Sequence, residues 1–134
     1  MMNEPLSTIM TTDLIKMAPD DPLSKARKIL FGNQIHLLPV VEGDDILVGV
    51  ITTHDLCKYC EKYDEFDNIK VKDVMTTHLA TLEPDEKIGA AAEVLLEHLF
   101  HAVPIVVNGQ LKGIVSSFDV LKYEFNKEYP GQIN

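Results

Sequence analysis

Arginine is almost missing from this chain. Arg27 is the only one in 134 residues, and 12 Lys+Arg stand against 21 Asp+Glu, a formal net charge of −9. Affinity for nucleic acid without sequence preference comes largely from Lys and Arg neutralising phosphates, so this balance excludes a nucleic-acid binder. Long apolar runs are missing too. Ile46-Leu47-Val48-Gly49-Val50-Ile51 and Ala102-Val103-Pro104-Ile105-Val106-Val107 fall far short of the roughly 18–20 residues of a membrane span. No basic stretch precedes an apolar one at the N-terminus, so no secretory signal is expected. Two cysteines, Cys57 and Cys60, are too few for a disulfide framework and fit a reducing cytoplasm. There is no glycine-rich phosphate loop, and no Ser–His–Asp or Cys–His set can be assembled from spacing. Catalysis is therefore the least supported activity. What remains is ordinary for a folded protein: 46% hydrophobic and 25% charged residues, in a length that suits one domain or two closely packed halves.

The chain is written twice. At an offset of 65 residues Met10-Thr11-Thr12 meets Met75-Thr76-Thr77, Pro19-Asp20 meets Pro84-Asp85, and Ala26 meets Ala91. His36 and His101, Pro39 and Pro104, and Val41 and Val106 pair in the same way. After Gly43-Asp44-Asp45 the offset drops to 64, and Gly49, Asp55, Lys58 and Tyr59 meet Gly113, Asp119, Lys122 and Tyr123. A length change at that point marks a turn. A repeat of this size implies supersecondary units that cannot bury a core alone, and two copies are expected to pack face to face around a cleft.

Each half reads as strand, helix, strand, strand, helix. Thr12 to Met17 suits an extended segment paired with a neighbour. Asp20-Asp21-Pro22 predicts a helix start, with an Asp cap and Pro at the first helical position. Leu23, Ala26, Ile29 and Leu30 follow at helical spacing, as do Ile88, Ala91, Leu95 and Leu99 in the second half. Hairpins are predicted from Leu37 to Thr52 around Gly43-Asp44-Asp45, and from Ala102 to Ser116 around Asn108-Gly109, a strong signal for a tight turn. A last helix begins near Thr52 or Thr53, and near Ser116 or Ser117. The expected division is a loose N-terminus (1–6), a first repeat (7–61), a polar linker (62–70), a second repeat (71–126) and a tail (127–134).

The repeated signature is Gly49-Val50-Ile51-Thr52-Thr53-His54-Asp55 against Gly113-Ile114-Val115-Ser116-Ser117-Phe118-Asp119. A buried strand ends at a hydroxyl, and a carboxylate follows three residues later. One interpretation is a capping box, in which the hydroxyl takes an early N–H and the acid reaches back. Asp is a methylene shorter than the usual Glu, so reciprocal capping is expected to be strained. The other is a nucleotide site: helix N–H groups and the hydroxyl hold a phosphate, and the Asp accepts the ribose hydroxyls.

The two halves together resemble a tandem pair of CBS domains, the Bateman module, over about residues 7 to 126. The resemblance rests on Met-Thr near the start of each half, Pro-Asp before the helix, Leu38-Pro39-Val40-Val41 or Val103-Pro104-Ile105-Val106, and the two Gly-to-Asp strings. It implies a non-catalytic regulatory module that binds an adenosine compound (AMP, ADP, ATP or S-adenosylmethionine) and signals occupancy to another protein. Carried onto this chain, it implies ribose binding by Asp55 and Asp119, and phosphate contacts from Thr52, Thr53, Ser116 and Ser117. Adenine would rest near Ile15 and Ala80, the backbone of Leu37, Leu38, Ala102 and Val103, and the side chains of Ile51 and Val115. Neither half has lost its Asp, so the two sites are expected to be equivalent.

One departure matters. Many nucleotide-binding members carry an Arg just before the apolar-Pro-Val run, where this chain has Leu37 and Ala102. Loss of that charge-assisted bond removes about 1.5–3 kcal/mol of phosphate affinity per site. His36 and His101 stand next door and can substitute in part when protonated. Together with the acidic balance, this favours adenosine, AMP or S-adenosylmethionine over ATP. Because no effector domain is visible, output is expected through an effector protein in trans. A homodimer is expected through Leu56, Tyr59, Val120 and Tyr123. Two alternatives stand beside this: a ligand-free interaction module whose aspartates only cap helices, and a metal or redox sensor using His54, Cys57 and Cys60. The latter three lie at i, i+3 and i+6, where helical geometry turns the outer pair about 120° apart. No catalytic cofactor is expected.

Overall fold

The structure, a computed structural model, describes residues 2–98 and 100–131, and of Cys60 the backbone only. Leu99, the Cys60 side chain and residues 132–134 of the expected tail lie outside the described residues. The fold is α+β, and its order follows the repeat: α1 (Leu23–Gly32), β1 (Leu37–Glu42), β2 (Ile46–Thr52) and α2 (Thr53–Cys57), then α3 (Ile88–His98), β3 (Ala102–Val107), β4 (Gln110–Ser116) and α4 (Ser117–Glu128). Both hairpins form as predicted. Gly43 and Asp45 take φ of 57° and 60°, and Asn108 and Gly109 take 52° and 80°, the left-handed backbone that tight hairpin turns require.

The compact units do not follow the sequence repeat. One comprises residues 15–79 with 109–111, and the other 1–14, 80–108 and 112–134. Each half has lent its opening segment to the unit built on the other half's hairpin. In the unit around β3 and β4, Pro5 bridges Lys87, the Leu6 N–H donates to the Glu86 carbonyl (2.8 Å), and the Ile88 N–H donates to the Glu4 carbonyl (2.9 Å). In the unit around β1 and β2, Pro22 bridges Lys70, the Leu23 N–H donates to the Ile69 carbonyl (2.7 Å), and the Val71 N–H donates to the Asp21 carbonyl (2.8 Å). Leu6 and Val71, matched at the 65-residue offset, are both fully buried. Leu6, at the end of the N-terminal stretch expected to be loose, completes a core with Ile88, Ala91, Ile105 and Val115.

The same docking explains where α1 begins. Pro22 occupies the cap position itself, without a side-chain cap bond; the Ile69 carbonyl already satisfies the first helical N–H. Asp21 is not the cap. It accepts the Ala18 N–H (2.9 Å) and pairs with Lys25 (3.4 Å). The first strand of each half shrinks to one parallel bridge, Met17 to Val40 and Leu82 to Ile105.

The unit around β1 and β2 buries Met17, Leu23, Ala26, Leu30, Leu38, Val40, Ile51, Leu56, Phe66 and Val71. Phe66 belongs to the stretch expected to be a polar linker. Its burial holds residues Cys60–Asn68 in 3-10 turns against that core. The last helices differ: α2 has five residues, whereas α4 has twelve and reaches Glu128, inside the expected tail. The expected dimer contact faces inward. Leu56 is 4% exposed in one core, and Tyr59, Val120 and Tyr123 pack against the cores of their own units. The outward face of α4 carries Phe118, Leu121 and Phe125 instead. Among the described residues no helix is long and apolar enough to cross a membrane.

Candidate functional site

Both signatures build the same local frame. Gly49 and Gly113 sit where a Met-Thr segment crosses the strand. A Cβ on Gly49 would stand 2.6 Å from Met75 Sδ and 3.1 Å from the Thr76 carbonyl oxygen; on Gly113 it would stand 2.9 Å from both Met10 Sδ and the Thr11 carbonyl oxygen. Those crossings are closed by paired backbone bonds, Val50 with Thr76 (2.9 and 2.9 Å) and Ile114 with Thr11 (3.0 and 2.9 Å). The repeated Gly and the repeated Met-Thr are thus partners in space, each from the opposite half.

The strand then delivers its hydroxyl residue to the cap of the next helix. Thr52 and Ser116 are extended (ψ 164° in both), and each heads a complete reciprocal capping box. The Thr52 N–H donates to Asp55 Oδ2 (2.9 Å) while the Asp55 N–H donates to Thr52 Oγ1 (3.1 Å). The Ser116 N–H donates to Asp119 Oδ2 (2.8 Å) while the Asp119 N–H donates to Ser116 Oγ (3.1 Å). The expectation of a strained box is corrected. The extended cap residue folds its N–H over the first turn, within reach of the shorter carboxylate. The first helical N–H is also taken, Thr53 by the His36 carbonyl (3.3 Å) and Ser117 by the His101 carbonyl (2.9 Å). Helix N–H groups available to a phosphate are correspondingly few.

Beyond this frame the sites diverge. Asp55 is 3% exposed. Its Oδ1 accepts the Thr76 hydroxyl at 3.1 Å, and its Oδ2 also accepts the Thr52 hydroxyl at 3.0 Å. Both oxygens of that carboxylate are engaged. Asp119 is half-buried, and among the described residues its Oδ1 and the Ser116 hydroxyl proton have no hydrogen-bond partner. Thr11, the match of Thr76, makes no side-chain bond to it.

The remaining candidates scatter. Leu38, Ile51, Val103 and Val115 are 0% exposed. The Ile51 and Val115 side chains, expected to face adenine, lie in the cores, with Leu38 and Val40 around one and Leu6 and Ile105 around the other. Ile15, Leu37, Ala80 and Ala102 keep accessible surface, as do the exposed rings of His36 and His101. His54 and Cys57 are exposed, and among the described residues no group of three His, Cys, Asp or Glu could hold a metal ion. Sequence reasoning missed the Thr76 hydroxyl. Its repeated Met-Thr pair was visible, but not that it would cross to the other half.

Two βαββα copies with exchanged openings, each ending a Gly-to-Asp string at a helix cap, define a tandem-repeat module. The CBS domain profile matches residues 6–62 and 71–126, so the chain belongs to the CBS-domain family and carries two copies. Inosine-5'-monophosphate dehydrogenase of Methanocaldococcus jannaschii is 33% identical over 91% of this chain. The chain spans 23% to 32% of the length of three curated relatives that it matches, that enzyme among them. CBSX2, solved in complex with AMP, superposes with a TM-score of 0.84 at 25% identity, covering 93% of this chain and 98% of that one. The CBS domain pair of protein MJ0100, solved with 5'-methylthioadenosine and S-adenosyl-L-methionine, gives 0.80 at 27% identity, again over 93% and 98%.

Proposed function

We propose that the chain is a non-catalytic regulatory module that binds an adenosine-containing ligand, with Asp119 as the primary ribose acceptor. One observation carries this reading: Asp119 Oδ1 is without a partner on a half-buried carboxylate, beside a Ser116 hydroxyl whose proton has no acceptor among the described residues. A diol brings two donors to such an oxygen, and hydrogen bonds to charged groups contribute about 1.5–3 kcal/mol. Ala80 and Ala102 are the accessible apolar candidates for the base, and Ser117 and His101 are the candidates for the phosphate. The ligands of CBSX2 and of the MJ0100 pair support the adenosine class. Leu37 and Ala102, where many members have Arg, together with a net charge of −9, support AMP or S-adenosylmethionine over ATP. Asp55 is mainly a structural carboxylate, and a ligand there must displace the Thr76 hydroxyl. Ligand binding shifts the population of states that a partner protein reads.

The test is calorimetric titration with adenosine, AMP, ATP and S-adenosylmethionine. AMP or S-adenosylmethionine is expected to bind, and Asp119→Ala to weaken it by about tenfold or more, a 1.4 kcal/mol effect. Silence from all four up to about 1 mM, near −4 kcal/mol, would overturn the reading. The interaction-module alternative would then stand, supported by two capping boxes that are complete without any ligand.

A further inference from the structure

The most concentrated positive charge in this acidic chain lies on α1, away from the residues proposed for the nucleotide. Ser24, Arg27, Lys28 and Phe31 fall at i, i+3, i+4 and i+7 and share one helix face, adjoining the face of the buried Leu23, Ala26 and Leu30. With Lys25 and Asp67 they line an open groove of about 520 Å³ between α1 and the 3-10 segment Cys60–Asn68. Arg27 lies over the Tyr63 ring, 4.4 Å from its centroid. Its Nε is buried without a hydrogen-bond partner. Lys25 is paired with Asp21. Arg27 and Lys28 have no ion pair among the described residues, although the chain offers 21 acidic side chains and Asp67 lines the same groove. At its end Phe31 is 61% exposed, and Tyr63, beneath Arg27, is 51% exposed.

We propose that this groove docks an acidic peptide segment of a partner protein, with carboxylates on Arg27 and Lys28 and an apolar side chain against Phe31. The Tyr63 ring holds the guanidinium plane in place, so its fork meets a carboxylate with little further ordering. Lys28 adds a point charge one residue on. The cations and the exposed aromatic spread along two helical turns, a layout that matches an extended chain better than a single small anion. Charge complementarity of this kind steers encounter and selects the partner, and the surrounding negative charge would repel acidic segments that miss the groove.

Fluorescence anisotropy tests the proposal with fluorescein-labelled nine-residue peptides built from Glu, Phe and Leu in several spacings, each with a Gln-for-Glu copy. At least one Glu peptide is expected to bind the full chain while its Gln copy does not, and binding should weaken as salt rises. Lys28→Glu is expected to weaken it about tenfold. That side chain is exposed and makes no ion pair among the described residues, so an unchanged melting curve is expected alongside. Phe31→Ser should weaken the Phe-bearing peptides selectively. Three results would each overturn the proposal: no peptide preferring the parent chain over Lys28→Glu; equal binding of Glu and Gln peptides; or inorganic phosphate binding the groove alone and displacing the peptide, which would make it a small-anion site.

Discussion

Asp55 and Asp119 occupy matched places in two nearly identical strings, each closing a capping box with the residue three positions before it. Asp55 is buried and also holds the Thr76 hydroxyl, whereas Asp119 is half-buried and its Oδ1 has no partner among the described residues. The difference arises outside the strings, in the Met-Thr segment that reaches each strand from the other half. Both segments bond the strand backbone equally well, yet only Thr76 turns its hydroxyl onto the carboxylate. A duplicated motif has thus been divided: one copy ties its unit together, and the other leaves an acceptor open.

The sharpest break in this comparison is removal of the carboxylates. Asp55→Ala leaves the Thr52 N–H and two hydroxyls without their acceptor in a partly buried place, and is expected to cost about 2–3 kcal/mol. Asp119→Ala loses a more exposed cap, for about 1 kcal/mol. Urea denaturation of both variants measures the gap, and equal losses would erase the distinction. Next come the glycines. Gly113→Ala drives a Cβ to 2.9 Å from a backbone oxygen, with an expected cost of about 1–3 kcal/mol. Gly49→Ala should cost less, since its tightest contact is the flexible Met75 side chain and the backbone oxygen stands at 3.1 Å.

Smaller still is Thr76→Val, which removes one hydrogen bond for about 1 kcal/mol but frees Asp55 Oδ1. If the Thr76 hydroxyl is what separates the two sites, AMP or S-adenosylmethionine titrations should move from one ligand per chain toward two. Unchanged stoichiometry would mean that burial alone closes Asp55. The slightest effect concerns pH. The Lys72 ammonium, bonded to Asp20 at 3.1 Å, with Lys70 beside it, holds that carboxyl below its ordinary 3.8. A lowered folded value means stability present above about pH 4 and lost as pH falls through the folded value. Lys72→Met should flatten the acid end of the thermal-melting profile slightly, and less so in high salt.

Much of this was legible before any coordinates. The 65-residue offset, the tight Asn108-Gly109 turn and the apolar runs fix two hairpins with flanking helices, because turn chemistry and hydrophobic period are local properties of the chain. The strings also announced their carboxylates. The capping geometry was misjudged because strain depends on the backbone angles of Thr52 and Ser116, which composition does not give. Pro22 misled for a related reason: its cap place is set by docking against Lys70, 48 positions away in the chain.

By itself, then, the sequence determined the repeat, the hairpins and the family resemblance. Only the tertiary structure decided that Leu6 and Val71 cross to opposite units, that Ile51 and Val115 are closed in cores, and that Asp55 accepts two hydroxyls while Asp119, among the described residues, accepts none. The reason is physical. Repeated residues guarantee the same local hydrogen bonds, but whether a carboxylate stays open depends on which distant segment is packed against it, and that choice is made by burial of the whole core.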